Sequence, residues 1–279
     1  MQTKLYGRRA RGPLGRLVAG FRERSGVFPS AGVGLPLPAR TEQFIEFYLA
    51  EPYRVRVDGA APEPTPEAVV VGPQTYRRAE INFAGEVLTF TIHFRPTGFH
   101  RLFGMDMPQL VNQAAPLRDV LGSCGDDLRS AVFAARDFQE RAEAAEAWLY
   151  ARLDIARTGA AVDTAAWSIV RFGGAPRIAD LAARLDLSER QFTRAFTARV
   201  GMGPKLFGRI SRLHAVLRAQ ASAPERAWTE LALEAGYFDQ AHFIRDCRLL
   251  AGAPPTALIR ETPSLPMLST SDFSKPRLA

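Results

Sequence analysis

Apolar residues alternate with polar ones along one early segment of the chain, residues 32–94. Between residues 32 and 94 this alternation is interrupted by Pro, Gly and Asp, which is the pattern of short strands joined by turns. The clearest stretch is 87–94, where Leu88, Phe90 and Ile92 share one face. Shorter stretches of the same kind occur at residues 53–57 and 69–71. We therefore predict an antiparallel β-sandwich or small barrel.

The spacing of apolar residues changes to three or four between residues 126 and 155, as in amphipathic helices. This segment is predicted to form one long helix or two helices. Its apolar stripe can pack on the sheet or pair with a second copy of the chain, and we favour the sheet. Residues 158–161 are predicted to be a linker. A β-rich sensor or dimerisation-like domain with C-terminal helices is thus assigned to residues 31–157.

The last third of the chain contains an internal repeat. Residues of its first copy match residues 51 positions later: Ser188 with Asp239, Phe192 with Phe243, Arg194 with Arg245, Gly201 with Gly252, and Pro204 with Pro255. The Leu-Ala pairs at 181–182 and 231–232 are 50 apart. A repeated unit implies a repeated structural role. Each copy predicts a short helix, a turn and a second helix.

The second helix of each copy is predicted to begin after a capping residue, Ser188 or Asp239. Phe192 and Phe196 would anchor the first of these helices, and Phe243 and Cys247 the second. Other side chains are left pointing outward: Arg190, Thr193, Arg194 and Thr197 in the first copy, and Gln240, Ala241, Ile244, Arg245 and Arg248 in the second.

The two copies are predicted to be joined by a helix that starts at Pro204, a favoured residue at a first helical position. Its polar side shows Arg209, Arg212 and Arg218. Such a helix would be a rigid spacer that lets two helix-turn-helix units enter successive major-groove segments, about 34 Å apart. The periodicity alone equally allows two stacked helical hairpins.

Composition excludes several classes of protein. A chain of 279 residues, 47% of them hydrophobic, can bury a substantial core, so wholesale disorder is excluded. The two cysteines, Cys124 and Cys247, cannot form a disulfide framework, which fits a reducing compartment. No run of about 18 apolar residues could cross a bilayer, and the N-terminus lacks the apolar segment of a secretory signal. We expect a cytoplasmic protein without a membrane partner.

Charge is unevenly distributed along the chain. The net charge of +7 divides into +6 over residues 1–24, −5 over residues 25–167 and +6 over residues 168–260. The basic C-terminal third suits a polyanionic partner. Residues 1–30 mix Arg, Gly and Pro without a period and are predicted to be a basic irregular arm. Residues 261–279 are predicted to be a flexible tail.

Residues 163–260 resemble the DNA-binding domain of AraC/XylS-type transcription regulators. The first half of the motif is Ile-Ala-Asp-Leu-Ala at 178–182 followed by Leu-Ser-Glu-Arg-Gln-Phe-Thr-Arg-Ala-Phe at 187–196. The more diagnostic half is Leu-Ala-Leu-Glu-Ala-Gly-Tyr-Phe-Asp-Gln-Ala-His-Phe-Ile-Arg at 231–245. The resemblance covers about a third of the chain. A fainter resemblance at residues 71–98 connects the N-terminal region to the β-rich sensor modules of such regulators.

The resemblance implies an α+β protein whose all-α C-terminal domain has two helix-turn-helix units joined by a central helix. Arg190, Thr193 and Arg194 would then face the DNA groove from the first unit. Gln240, Ala241 and Arg245 would do so from the second unit. Arg209 and Arg212 would supply phosphate contacts and salt-dependent affinity.

Two positions of the second unit depart from the family pattern. Cys247 stands where a large aromatic residue is usual, and Ile244 stands where a small polar residue is common. Both departures concern the depth to which this helix enters the groove.

The implied function is sequence-specific control of transcription at promoter DNA. RNA polymerase, a small-molecule effector and a second copy of the chain are further partners compatible with the resemblance. No cofactor or metal is expected, since the four histidines are scattered and no Walker loop, nucleophile elbow or dinucleotide fingerprint occurs. Two alternatives remain: a small-molecule enzyme that uses the β-rich domain, and a protein-interaction module that does not bind DNA.

Overall fold

A computed structural model describes residues 3–77 and 79–261, and it shows an antiparallel sheet followed by helices. The strands that it describes are β1 (Thr3–Arg9), β2 (Val18–Leu37), β3 (Phe44–Tyr48), β4 (Arg54–Val57), β5 (Glu63–Pro64), β6 (Ala68–Val71), β7 (Ala79–Phe94) and β8 (Ala114–Pro116). The predicted strands at 53–57, 69–71 and 87–94 correspond to β4, β6 and the second half of β7.

The long strands β2 and β7 form the middle of the sheet. The strand order is β1-β2-β7-β3-β6-β8, and β4 pairs with β5 and β7. One half of β7 pairs with β3, as in Phe44 opposite His93, and the other half pairs with β4, as in Arg54 opposite Asn82. A shift of register interrupts the β2–β7 pairing between Phe28 and Val33. Such an irregularity bends a strand and increases its twist.

The alternation in β7 separates two sets of side chains. Phe90 and Ile92 lie in a core that also contains Leu128 and Leu149 from the helices after the sheet. Thr89, Thr91 and His93 point to the opposite face, which lines a cavity. Strands β3, β4, β6, β7 and β8 all contribute to the walls of an adjoining cavity, so the sheet curls around its interior. The β-rich N-terminal region of the predicted fold class is confirmed as an antiparallel sheet followed by helices.

The prediction of an irregular basic arm is wrong for residues 3–30. Residues 3–9 form β1, and β2 begins at Val18 after a 3-10 helix at Gly12–Arg16. Phe21 is completely buried. Two charged residues of this segment have partners across the domain: Arg8 donates to Glu146 at 2.8 Å, and Glu23 accepts a bond from Arg141 at 2.7 Å. Sequence spacing could not reveal partners more than a hundred residues away.

After β7, the elements that the structure describes are helical, apart from β8. Described after β7 are α1 (Gly98–Phe103), a 3-10 helix (Met107–Leu110), α2 (Leu117–Leu121), α3 (Ser123–Ala134), α4 (Phe138–Tyr150), α5 (Ala161–Arg171), α6 (Ile178–Ala183), α7 (Glu189–Val200), α8 (Pro204–Ser222), α9 (Trp228–Glu234), α10 (Gln240–Ala251) and α11 (Pro255–Glu261). The segment 126–155 therefore contains two helices. Asp137 separates them and caps α4 by accepting a bond from Glu140 N at 2.9 Å.

A second core lies among helices α5 to α11. It is centred on α8, whose Phe207, Ile210, Leu213 and Val216 are completely buried. Ala39, from the connection between β2 and β3, also belongs to this core. Helix α5 begins at Ala161, inside the predicted linker. The boundaries at 157 and 163 stay predictions, and the predicted tail beyond residue 261 lies outside the described residues.

Candidate nucleic-acid interface

The first helix-turn-helix unit consists of α6 and α7. Asp186, in the turn, adopts a positive φ of 52°. Ser188 then caps α7: its Oγ accepts a bond from Gln191 N at 3.3 Å, while Ser188 N donates to Gln191 Oε1 at 2.9 Å. This reciprocal capping satisfies backbone groups at the start of the helix. The beginning of α7 is thus held in place by its own sequence.

The buried side of α7 determines which residues it exposes. Phe192 and Phe196 are completely buried with ring centroids 5.7 Å apart, and Phe196 also packs edge-on against Phe207 of α8. Arg190, Thr193 and Arg194 are exposed on the other side. This is the set that the resemblance assigns to the groove.

The second unit, α9 and α10, repeats the first. Helix α10 begins 51 residues after α7, and glycine ends both helices in a left-handed conformation. Asp239 caps α10 by accepting a bond from His242 N at 2.7 Å. Gly236 has a φ of 88° in the turn, a conformation that a Cβ would strain. The repeat in the sequence is therefore a repeat of structure.

The outward side of α10 carries the other predicted residues. Gln240, Ala241 and Arg245 are exposed, whereas Phe243 is buried against the ring of Trp228 at 5.8 Å. Ile244 is only half-buried.

Cys247 is completely buried at the position where the family pattern has an aromatic residue. Burial, with a smaller contribution from Asp246, raises the pKa of its thiol to about 12. A thiol with such a pKa stays protonated and behaves as a small apolar side chain.

The periodicity placed Arg209 and Arg212 on a free polar side of the central helix. In the structure both side chains have partners. Arg209 binds the carboxylate of Asp246 at 2.6 Å, and Asp246 is only 1% exposed. Arg212 donates to Gly174 O at 3.2 Å and lies over the ring of Tyr237. Both side chains therefore connect α8 to neighbouring elements. Their predicted contact with DNA phosphates stays a prediction.

Asp246 is a residue that sequence reasoning missed. Its two carboxylate oxygens accept bonds from Arg209 and, at 3.3 Å, from Tyr237 Oη. Burial and the nearby Asp246 raise the pKa of Tyr237, which keeps its hydroxyl available as a donor. Asp246 fixes α10 on α8 and on the turn of its own unit. The only sequence signal for this role of Asp246 was that it is an acidic residue between two arginines of a basic helix.

A basic concave surface borders the first unit. A cavity of about 870 Å³ lies between α7 and the start of α8, and its walls include Arg190, Thr193, Arg194 and Lys205. Lys205 is exposed and was not among the predicted residues. Its position directly after Pro204 at the start of α8 was the signal that could have identified it. The surface has the charge that a phosphate backbone attracts.

Other kinds of site were sought in the same structure. Within residues 3–77 and 79–261, no group of three or more His, Cys, Asp or Glu side chains is arranged to hold a metal ion. No helix among the described residues is long and apolar enough to span a bilayer.

These units define the class of protein: two capped recognition helices held by a central helix form a tandem helix-turn-helix domain. Residues 181–261 match the family model described as a helix-turn-helix domain. The C-terminal region is an AraC-type domain of this kind. Its presence supports the role of a DNA-binding transcription regulator for the chain. No curated protein matches the chain.

Solved structures with a similar overall arrangement include ToxT from Vibrio cholerae, with 9% identity over 93% of this chain and 98% of that chain and a TM-score of 0.47. ToxT with bound unsaturated fatty acid gives 10% identity over 87% and 96% of the two chains, with a TM-score of 0.45. The AraC-like transcriptional activator CuxR has 12% identity over 79% of this chain and 81% of that chain, with a TM-score of 0.33.

Proposed function

We propose that this chain is a cytoplasmic regulator of transcription in which α7 and α10 enter successive major-groove segments of promoter DNA. The observation that carries the proposal is the repeated burial pattern. Each helix buries an aromatic anchor against its own domain and leaves a polar side exposed on a unit joined through α8. A helix that merely filled the core would not expose this side twice at the same positions.

The exposed side chains have the chemistry of base recognition. Arginine binds guanine O6 and N7 in a bidentate manner, and glutamine binds adenine N6 and N7. Arg190 and Arg194 offer the first kind of contact from α7. Gln240 and Arg245 offer both kinds from α10, and Ala241 leaves room for a thymine methyl group. Lys205 would bind phosphate beside the first unit and add salt-dependent affinity.

The other partners of the proposal are less specific. A small-molecule effector is supported by the cavities inside the curled sheet. RNA polymerase and a second copy of this chain remain partners that the family resemblance suggests.

Selection from a random DNA library tests the proposal directly. The full chain, at moderate salt, is expected to enrich a sequence with two conserved segments about one helical turn apart. A matched variant carrying both Arg194→Ala and Arg245→Ala is expected to lose that enrichment. A control variant, Arg54→Ala, alters an exposed arginine of β4 and should select the same sequence as the original chain. Failure to enrich any sequence would overturn the proposal and favour a protein-interaction module.

A further inference from the structure

The two recognition helices differ at the residue that precedes their cap. Leu187 stands immediately before the cap of α7, and Phe238 stands immediately before the cap of α10, 51 residues later. An apolar residue at this position commonly packs against the fourth residue of the helix and fixes the direction in which the chain enters it. That fourth residue is Phe192 in α7 and Phe243 in α10. The repeat therefore predicts the same packing in both units.

The first unit makes this contact and the second does not. Leu187 is half-buried and packs against the core that contains Phe192. Phe238, in contrast, is 88% exposed, so its ring cannot be packed against the helix that follows it. Of the large apolar side chains that the structure describes, Phe238 is the most exposed. The two equivalent residues thus have different roles.

The core of the second unit is closed without Phe238. The ring of Trp228 stacks on Phe243 with centroids 5.8 Å apart, and the ring of Tyr237 meets Phe243 edge-on at 5.2 Å. Phe243 is only 1% exposed as a result. Because these two rings already cover the anchor of α10, the fold of this unit does not depend on Phe238.

Two further apolar positions follow Phe238 at the start of α10. Ala241 and Ile244 are three residues apart, a spacing that places side chains on one side of a helix. Ala241 is exposed and Ile244 is half-buried. We call Phe238, Ala241 and Ile244 the apolar strip. The equivalent helical positions of the first copy are polar, since they hold Arg190 and Thr193.

The apolar strip lies at the end of α10 that base recognition uses. In a helix-turn-helix unit, the N-terminal residues of the recognition helix reach the base edges in the major groove. Gln240 and Arg245, which are both exposed, border the strip with the polar groups of such a contact. Ala241 also has a much shorter side chain than its equivalent Arg190, so this end of α10 can approach the bases more closely. The apolar strip is therefore continuous with the candidate interface.

The chemistry of the major groove specifies what an apolar side chain can bind there. Base pairs present hydrogen-bond donors and acceptors in this groove, and the apolar group that they add is the C5-methyl group of thymine. Alanine and phenylalanine side chains are both suited to contact this methyl group. An exposed aromatic ring at the start of a recognition helix thus matches thymine.

We propose that Phe238 determines specificity for thymine, because its ring covers the C5-methyl group of a thymine in the DNA segment bound by α10. This inference rests on the proposed function and deepens it. The two units then recognise DNA by different chemistry. The guanidinium groups of Arg190 and Arg194 act in the first unit, whereas apolar contact with a methyl group acts beside Arg245 in the second.

Replacement of thymine by deoxyuridine in the selected duplex tests the contact, because deoxyuridine lacks only the methyl group. The segment bound by α10 is the one whose footprint weakens in Arg245→Ala. At one thymine of this segment at least, deoxyuridine is expected to lower the affinity of the original chain about fourfold, since burial of a group of this size contributes about 0.8 kcal/mol. Fluorescence anisotropy measures the affinity of each duplex.

Two variants assign the effect to one side chain. In Phe238→Ser the difference between thymine and deoxyuridine at that position should fall below about twofold, because the pair of substitutions isolates their mutual contact. Phe172→Ser is the matched control: it removes a phenylalanine that is 58% exposed and lies outside both units, and it should keep the fourfold difference. Thymines in the segment bound by α7 should respond alike in the original chain and in Phe238→Ser.

Urea unfolding separates this contact from a role in the fold. Phe238→Ser should unfold at the same urea concentration as the original chain, because its ring is exposed and the core is closed by other rings. Leu187→Ser changes the packed equivalent and should unfold at a lower concentration. An equal loss of stability in Phe238→Ser would overturn the inference, since the ring would then belong to the core.

The inference is also overturned if no thymine in the segment bound by α10 responds to deoxyuridine, or if the response persists in Phe238→Ser. The proposed function survives both results, because selection has then already supplied a sequence-specific site. Failure of the selection itself would instead overturn the proposed function, and the thymine contact with it.

Discussion

At the residue scale, the candidate interface depends on side chains that the core does not use. Phe192 and Phe243 take the buried position of their helices, so Arg194 and Arg245, two positions further on, face solvent. The exposure of these arginines was predictable because helical geometry fixes which neighbours share a face. Lys205 was not predictable in the same way, since its place beside α7 depends on how α8 packs.

Replacement of Arg194 or Arg245 by Ala should weaken DNA binding by about 1–3 kcal/mol if the side chain binds a base. The preference for a base at one position of the selected sequence should relax as well. Lys205→Ala should instead weaken binding to all DNA sequences about equally, because a phosphate carries no sequence information. It should also lower the salt dependence of the affinity. Anisotropy titrations against single-base variants of the site distinguish the two effects. Unchanged affinity and preference in both arginine variants would reject their assigned role.

The two cysteines should differ in reactivity. Cys124 is exposed and Cys247 is buried with a pKa of about 12. Because the thiolate is the reactive form, Cys247 should resist alkylation in the native protein at pH 8, and only Cys124 should be modified. Mass spectrometry after iodoacetamide treatment, with and without denaturant, measures this difference. Rapid native labelling of Cys247 would show that α10 opens readily.

At the element scale, the second recognition helix is held by a charge pair that crosses between helices. Arg209 of α8 and Asp246 of α10 are 37 residues apart in sequence and 2.6 Å apart in space. The helices themselves were predictable from their period and caps. Their contact was not, because a pair between different elements leaves no regular spacing in the sequence.

Arg209→Ala should lower the free energy of unfolding by about 3 kcal/mol, because it leaves the buried carboxylate of Asp246 without its ionic partner. This is the low end of the range for a buried pair, since the Arg209 side chain is 38% exposed. Arg226→Ala removes ion pairs of the same length, 2.6 Å, to Glu230 and Glu234 on the surface, and should change stability little. Urea unfolding of both variants provides the comparison. Equal destabilisation would contradict the structural role given to Asp246.

At the scale of the whole molecule, the helix-turn-helix domain does not stand apart from the sheet. Ala39 connects the sheet to α8 and α10, and Arg199 of α7 binds Asp163 at 3.2 Å. Asp163 also lies 3.8 Å from Arg101 of α1. Both recognition helices are therefore in contact with groups that lead back to the β-rich part of the chain.

Hydroxyl-radical footprinting on the selected DNA should show two protected patches about one helical turn apart, because each unit covers one major-groove segment. Arg245→Ala should reduce protection at one patch and Arg194→Ala at the other. A single patch in the original chain would mean that only one unit binds DNA.

The local features of this protein followed from sequence alone: the alternation in β7, the capped starts of α7 and α10, and the exposed residues of each unit. They are determined by neighbours within four positions, and the chain carries that information directly. Tertiary structure alone decided that residues 3–30 join the sheet, that Arg209 and Arg212 have partners, and that Ala39 belongs to the C-terminal core. Each of these depends on contacts between distant segments, whose pairing is settled only when the whole chain packs.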